Sequence, residues 1–238
     1  MTQACPLQGR RVVVTGAAGA LGSVVCRVLT QAGAGVLAVG RPQAAERLAA
    51  LAQELSCRTA MLDVGSSQAW AELAGRGQIG DVQGAVLIAG GWAGGANFHV
   101  SGPAQLSDML SLNLLSAGAS LQALLGPMVA RGSGSVVVIG SKNAALPELG
   151  AGSAAYTASK AGLVALAQAI AAEVRPRGVR VNALLPSTID TPANRSAMPQ
   201  ADFTRWVTPG SLAQAALYLL SDVSSDISGA ALPVYGRS

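Results

Sequence analysis

Short apolar runs alternate with segments of helical spacing along most of this chain, and that rhythm limits its fold more than any other feature. Val12-Val13-Val14 leads into Thr15-Gly16, residues 21–31 repeat apolar side chains at helical spacing up to Gly33, and residues 36–39 form the next apolar run. Further strands are expected at 59–62, 85–89, 135–139, 179–184 and 231–234, and helices at 44–55, 66–73 with Ser66 near the cap, 104–130, 153–175 and 208–221. Runs of this length bounded by turn residues read as buried strands. Strands that alternate with helices build a parallel sheet covered on both faces. No linker rich in Pro, Gly or charge breaks the pattern, so a single domain over 1–238 is expected.

The expected fold class is therefore α/β, a Rossmann-like doubly wound parallel sheet with helices on both faces. Such sheets bind ligands beyond the carboxyl ends of their strands, where the strand order reverses. The loops after the first, fourth, fifth and sixth strands meet there. The first of them reads Gly16-Ala17-Ala18-Gly19-Ala20-Leu21-Gly22. Small residues between a strand and a helix let backbone approach a pyrophosphate, whose charge the helix N-terminus favours. At the end of the second strand stands Gly40-Arg41 with no carboxylate. A carboxylate would accept from a free ribose 2′-hydroxyl, whereas an arginine suits a 2′-phosphate, so NADP(H) is favoured over NAD(H). A solvated arginine at a loop start is the plain alternative.

Residues 153–172 carry Tyr156 and, one helical turn on, Lys160, one of only two lysines in the chain. That spacing stacks a phenol and an ammonium on one helix face. A free phenol titrates near ~10, and a neighbouring cation favours its ionised form, as general acid–base work requires.

Tyr156-Thr157-Ala158-Ser159-Lys160, taken with the glycine turn, resembles the short-chain dehydrogenase/reductase family, and matching landmarks run from end to end. The resemblance implies that Tyr156 gives or takes the proton, that Lys160 lowers its pKa and holds the nicotinamide ribose, that Ser141 orients the substrate oxygen, and that Asn113 supports a water-linked proton path. Asp63-Val64 matches the pair used near the adenine, and Ala89-Gly90 the end of an N-N-A-G motif whose asparagines are here Leu87 and Ile88. Pro186, Ile189 and Thr191 match the segment that embraces the carboxamide. Ser187 replaces the usual glycine there, and Ala20 replaces the middle glycine of the first turn.

Substrate-side segments are similar to those of dihydropteridine reductases: residues 89–95, with Gly91 and Trp92, and residues 185–206, with Asn194 and Trp206. Ser141, Asn113 and Arg41 instead follow the commoner short-chain pattern. The resemblance implies an oxidoreductase acting on a carbonyl or imine, with a quinonoid dihydropterin as the leading specific substrate. The alternatives are a secondary-alcohol dehydrogenase and an NADP(H)-binding sensor with weak turnover. Ser141 lies fifteen residues before Tyr156, longer than the usual spacing, so either the loop bulges or Asn143 takes its place. Asn113 could equally satisfy neighbouring backbone. Trp92 could be core or a flat-ring contact. His99 has no assigned chemistry.

The remaining composition excludes several classes. The net charge of +4 comes from 14 Arg and 2 Lys scattered singly, so no nucleic-acid patch is expected. Three cysteines without C-x-x-C spacing and one histidine argue against disulfides and against a metal site. Residues 109–130 are free of charge, yet Asn113, Gln122 and Pro127 mark them as a helix buried in protein rather than a membrane span. The N-terminal MTQACPLQGRR lacks the features of a signal peptide, so a cytoplasmic location is expected. With half the residues hydrophobic and only 12% charged, a homodimer or homotetramer is expected.

Overall fold

The computed structural model describes residues 5–238; residues 1–4, within the stretch read as lacking a signal peptide, lie outside the described residues. Strands β1 (Arg11–Thr15), β2 (Gly35–Gly40), β3 (Arg58–Met61), β4 (Gly84–Leu87), β5 (Gly134–Ile139), β6 (Val179–Pro186) and β7 (Ala231–Val234) form one sheet. Its order is β3-β2-β1-β4-β5-β6-β7, and every neighbouring pair is parallel. The order reverses between β1 and β4, which opens a crevice at their carboxyl ends.

Helices α1 (Ala20–Gln31), α2 (Ala45–Leu55), α3 (Ser67–Gly75), α4 (Phe98–Met109), α5 (Ser116–Arg131), α6 (Lys142–Ala145), α7 (Ala154–Val174), α8 (Pro192–Ala197) and α9 (Pro209–Leu220) follow. Because successive strand residues face opposite ways, each strand feeds two cores. Val13, Val136 and Val138 pack with Trp70 of α3, Leu121 and Leu124 of α5 and Leu163 of α7. Val12, Val14, Val137 and Ile139 pack on the other face with Leu21, Val25 and Leu29 of α1, Leu48 of α2 and Leu212 of α9. Ser66 caps α3 as expected, its hydroxyl accepting from the Ala69 N–H.

Two stretches differ from the sequence expectation. The segment expected as loop to residue 102 and helix from 104 is already helical from Phe98, across a kink at Gly102 (φ 68°, ψ −171°) that Pro103 follows. A turn of π-helix, Leu110–Leu115, then joins α4 to α5. Residues 98–131 are long and apolar enough to cross a membrane by length and composition. Here Met109, Ala117, Leu121, Leu124 and Met128 point into the protein, as a buried helix requires. The expected loops 140–152 and 185–207 contain α6 and α8 with short 3₁₀ turns. The second is pinned across its ends: Val207 N donates to Thr188 O at 3.0 Å and Asp190 N to Val207 O at 2.8 Å.

Candidate active site

The site begins at the turn between β1 and α1. Gly16 adopts φ +67°, and a Cβ there would sit 3.1 Å from the Ala89 nitrogen, so the turn lies directly against the end of β4. A Cβ at Gly22 would come within 2.2 Å of Gly16 O, which leaves glycine as the residue that lets α1 start so close to its own turn. Thr15, buried beneath, accepts from the backbone N–H groups of Ile88 (3.0 Å) and Ala89 (3.2 Å). This hydroxyl ties β1 to β4 where the motif's asparagines are missing. Above lies a cleft of about 550 Å³, lined by Gly16, Ala18, Gly19, Ala20, Leu21 and Gly22, and closed by Val64, Ala89, Gly90 and Thr191. The first turn of α1 holds no acidic residue to oppose an anion at its N-terminus.

Arg41 stands at the far end of this cleft, and Arg47 of α2 lines it too, with Gln43 between them. Sequence reasoning missed Arg47. It arrives because Gly40 leaves room for Leu48 to pack on β2, where a Cβ would meet Leu48 Cδ1 at 2.9 Å. Among the described residues neither arginine has a carboxylate at ion-pair distance. Asp63 lines an adjoining cleft with Arg41, Val64, Ala89 and Gly90, and its carboxylate accepts from the Gly65 N–H at 3.0 Å. Trp70 Nε1 donates to Val64 O at 2.9 Å and so fixes the neighbouring backbone.

Gly90 joins the cleft to the Tyr–Lys helix. A Cβ on it would lie 2.5 Å from Asn113 Oδ1 and 3.5 Å from Lys160 Nζ. Asn113 is fully buried in the π-helical turn. Its Oδ1 accepts from Gly91 N at 2.9 Å, and its Nδ2 donates to Gly91 O at 3.0 Å and to Ser159 Oγ at 3.0 Å. Ser159 in turn donates to Tyr156 O at 2.7 Å. The Asn113 side chain thus holds the β4 loop on α7. Ser159, within the motif but assigned nothing from sequence, is the other half of this clamp.

Ser141 follows β5, is buried, and caps α6 by accepting from Asn143 N at 3.3 Å. Its side chain stands against the Tyr156 phenol, whereas Asn143 turns to Thr157, Nδ2 donating to Oγ1 at 3.5 Å. The long spacing from Ser141 to Tyr156 is taken up by α6 and the 3₁₀ turn Pro147–Gly150, so the bulge, not a substitute residue, is what the structure contains.

The protonation states depart from the expectation that Lys160 lowers the Tyr156 pKa. Burial pushes the Tyr156 phenol above its ordinary value, with Ser141 pulling the other way. Burial also pushes Lys160 down to about 8. Its ammonium donates to Ile139 O at 2.8 Å. Desolvation is the leading cause for both members of the pair. The sign for stability follows. Between about pH 8 and the ordinary lysine range the unfolded chain holds a proton that the native Lys160 has released, so this residue makes stability rise with pH across that window. Lys160→Met abolishes the rise. The stability difference between wild type and variant should shift in favour of wild type by on the order of 3 kcal/mol from about pH 7 to about pH 10, read from paired urea melts. Cys26 and Cys57 titrate alike in both proteins and cancel, so parallel pH curves would contradict the buried-ammonium assignment.

The substrate-side residues surround this centre without lining the cleft. Gly91 is held by Asn113 as above. Trp92 is exposed, lying against Gly94, while Gly95 N donates to Gly152 O at 2.8 Å; it is a rim residue, not core. Thr191 caps α8 by accepting from Asn194 N, and Asn194 Nδ2 donates to Ile189 O at 2.8 Å. Trp206 packs on Phe203 at 4.8 Å between ring centroids. Pro186 ends β6, and Ile189 packs partly on the core shared by α1 and α9. Among the described residues no cluster of potential metal ligands occurs.

Comparison with known proteins is consistent with this geometry. Residues 10–202 match the family model described as short chain dehydrogenase. Galactitol 2-dehydrogenase (L-tagatose-forming) of Cereibacter sphaeroides is 31% identical over 246 residues, covering 97% of this chain and 95% of the relative. Acetoacetyl-CoA reductase of Rhizobium meliloti is 30% identical over 240 residues, covering 95% and 97%. A crystal structure of a putative NAD(P)-dependent gluconate 5-dehydrogenase from Beutenbergia cavernae with bound NADP superposes with a TM-score of 0.87 at 30% identity, covering 98% of each chain. A 3-oxoacyl-[acyl-carrier protein] reductase from Brucella melitensis with bound NAD superposes with a TM-score of 0.84 at 26% identity, covering 98% of this chain and 92% of that one.

Proposed function

The chain belongs to the short chain dehydrogenase family and is an NAD(P)H-dependent oxidoreductase; we propose that it uses NADP(H) to reduce a carbonyl or imine, with Tyr156 delivering the proton. The observation that carries this reading is the pairing of Ser141 with the Tyr156 phenol, one helical turn before Lys160, whose ammonium lies beside Gly90 of the cleft lining. The glycine cradle and the unpaired arginines fit a phosphorylated dinucleotide, with the backbone of residues 16–22 facing its pyrophosphate and Arg41 and Arg47 its 2′-phosphate. Bound there, the reduced nicotinamide supplies the hydride.

The chain's own residues do the rest. Ser141 donates a hydrogen bond to the substrate oxygen and fixes it beside the phenol. Tyr156, kept protonated by burial, hands its proton to that oxygen as negative charge develops on it. Lys160 below about pH 8 is an ammonium and stabilises the phenolate that remains. Asn113 and Ser159 hold Gly91 and the start of α7 in register.

The substrate-side loops support a quinonoid dihydropterin as the specific candidate. The relatives named for galactitol support a second direction, oxidation of a secondary alcohol, at the same residues. A screen of NADPH oxidation across quinonoid dihydropterin, ketones, imines and quinones tests the proposal. Turnover confined to one class selects it, and silence across all four rejects the reductive reading. We also propose a cytoplasmic location, and a homodimer or homotetramer whose contacts would cover the exposed Leu115 and Val223; sedimentation as a monomer would reject the assembly.

A further inference from the structure

The catalytic residues divide the carboxyl edge of the sheet in two. The cofactor cleft occupies the side of β1, β2 and β3. Ser141 follows β5, and on its other side the ends of β6 and β7 lie next in the sheet. The residues that follow β6 and β7 are therefore the next neighbours of Ser141 on the side away from the cofactor cleft.

The side contains an unusual cation. Lys142, the second of the chain's two lysines, directly follows Ser141, and its ammonium sits over the ring of Tyr235, 5.2 Å from the centroid. Among the described residues no carboxylate lies within ion-pair distance of it. The aromatic face holds the ammonium by attraction to the ring quadrupole while leaving its N–H donors unneutralised. Tyr235 is itself anchored: Ser187 Oγ, at the end of β6, donates to Tyr235 O at 2.7 Å. The C-terminal segment beyond is stitched to the substrate loop by Arg237 N donating to Arg205 O at 2.9 Å and by Ser238 Oγ donating to the same oxygen at 3.0 Å. Asp190 is already paired with Arg195 through two hydrogen bonds of 2.6 and 2.7 Å, and Asp202 accepts from Thr204 N and Oγ1, so the nearby acids are engaged elsewhere.

We propose that Lys142, held on the face of Tyr235, is the anion subsite of the substrate pocket, and that the substrate is a carbonyl compound carrying a carboxylate. The inference rests on the reductase reading above and, within it, selects a keto acid over the uncharged dihydropterin. The carbonyl oxygen meets Ser141 and Tyr156, and the carboxylate meets the ammonium one residue further along the chain. A neutral substrate of the same skeleton leaves that ammonium without its partner and binds less well. A charge-assisted hydrogen bond contributes about 1.5–3 kcal/mol, which corresponds to about 10- to 100-fold in affinity.

The test compares acetoacetate and levulinate with their methyl esters, in NADPH oxidation and in calorimetric binding to NADP⁺-saturated enzyme. Wild type should favour at least one acid over its ester by about tenfold or more in kcat/KM, chiefly through KM. Lys142→Met should collapse that ratio, and Lys142→Arg should keep most of it. Equal use of acid and ester by wild type overturns the subsite while leaving the reductase intact. An equal loss for acid and ester in Lys142→Met assigns the residue a structural role and also overturns the subsite. If no carbonyl is reduced, the reductase reading falls, and calorimetry still decides the subsite: acid binding that survives Lys142→Met overturns it.

Discussion

A Tyr156→Phe variant is expected to keep its fold and its affinity for NADPH and to lose about 10²- to 10⁴-fold in kcat, the range for removing a general acid. Phenylalanine keeps the ring and its packing on α7 and removes the single hydroxyl. Nothing in the cofactor cleft depends on that hydroxyl, since the lining residues there come from the β1 turn, from the segments after β2, β3 and β4, from α2 and from Thr191. The expected outcome is therefore a split: unchanged dissociation constant for NADPH by fluorescence, and a turnover number reduced far more than KM. Replacement of Ser141 by Ala should fall in the same direction, because the same substrate oxygen loses one of its two donors. Full turnover by Tyr156→Phe would remove Tyr156 from the chemistry.

The second large effect is expected at the cofactor's far end. Arg41→Ala combined with Arg47→Ala should weaken NADPH binding by at least about 100-fold, since each guanidinium–phosphate interaction is worth about 1.5–3 kcal/mol. NADH, which has no 2′-phosphate, should bind the double variant about as well as it binds wild type. The preference for NADPH is thus lost without any change at Tyr156. Arg47 is the informative member of the pair, because it lies on α2 and reaches the cleft only through the packing of Leu48 against Gly40. If the double variant loses NADPH and NADH alike, the arginines support the shape of the cleft rather than read the phosphate.

The strand rhythm, the glycine turn and the Tyr156–Lys160 spacing were legible because each is a local pattern: short, wholly apolar runs bounded by turn residues, a close approach that only glycine allows, and one helical turn. What could not be read depends on residues far apart in the chain. Asn113 meets Gly91, Thr15 meets Ile88 and Ala89, and Lys142 meets Tyr235. None of these pairs leaves a trace in either member's neighbourhood. The helical start at Phe98 was hidden by Gly102 and Pro103, which ordinarily end a helix and here mark a kink between two. The direction of the Tyr156 pKa was misjudged for a related reason. Sequence spacing reports that a cation is near but not that both groups are buried, and burial decides the sign.

The central claim is hydride transfer to a carbonyl held by Ser141 and Tyr156, and isotope transfer tests it most directly. NADPH carrying deuterium at the transferable nicotinamide position is incubated with the enzyme and the best carbonyl substrate of the screen, and the product is examined by mass spectrometry and NMR. The account predicts one deuterium on the new carbinol carbon for each NADPH consumed, with the product all but absent in Tyr156→Phe. NADPH consumption that leaves no deuterium on that carbon would contradict it.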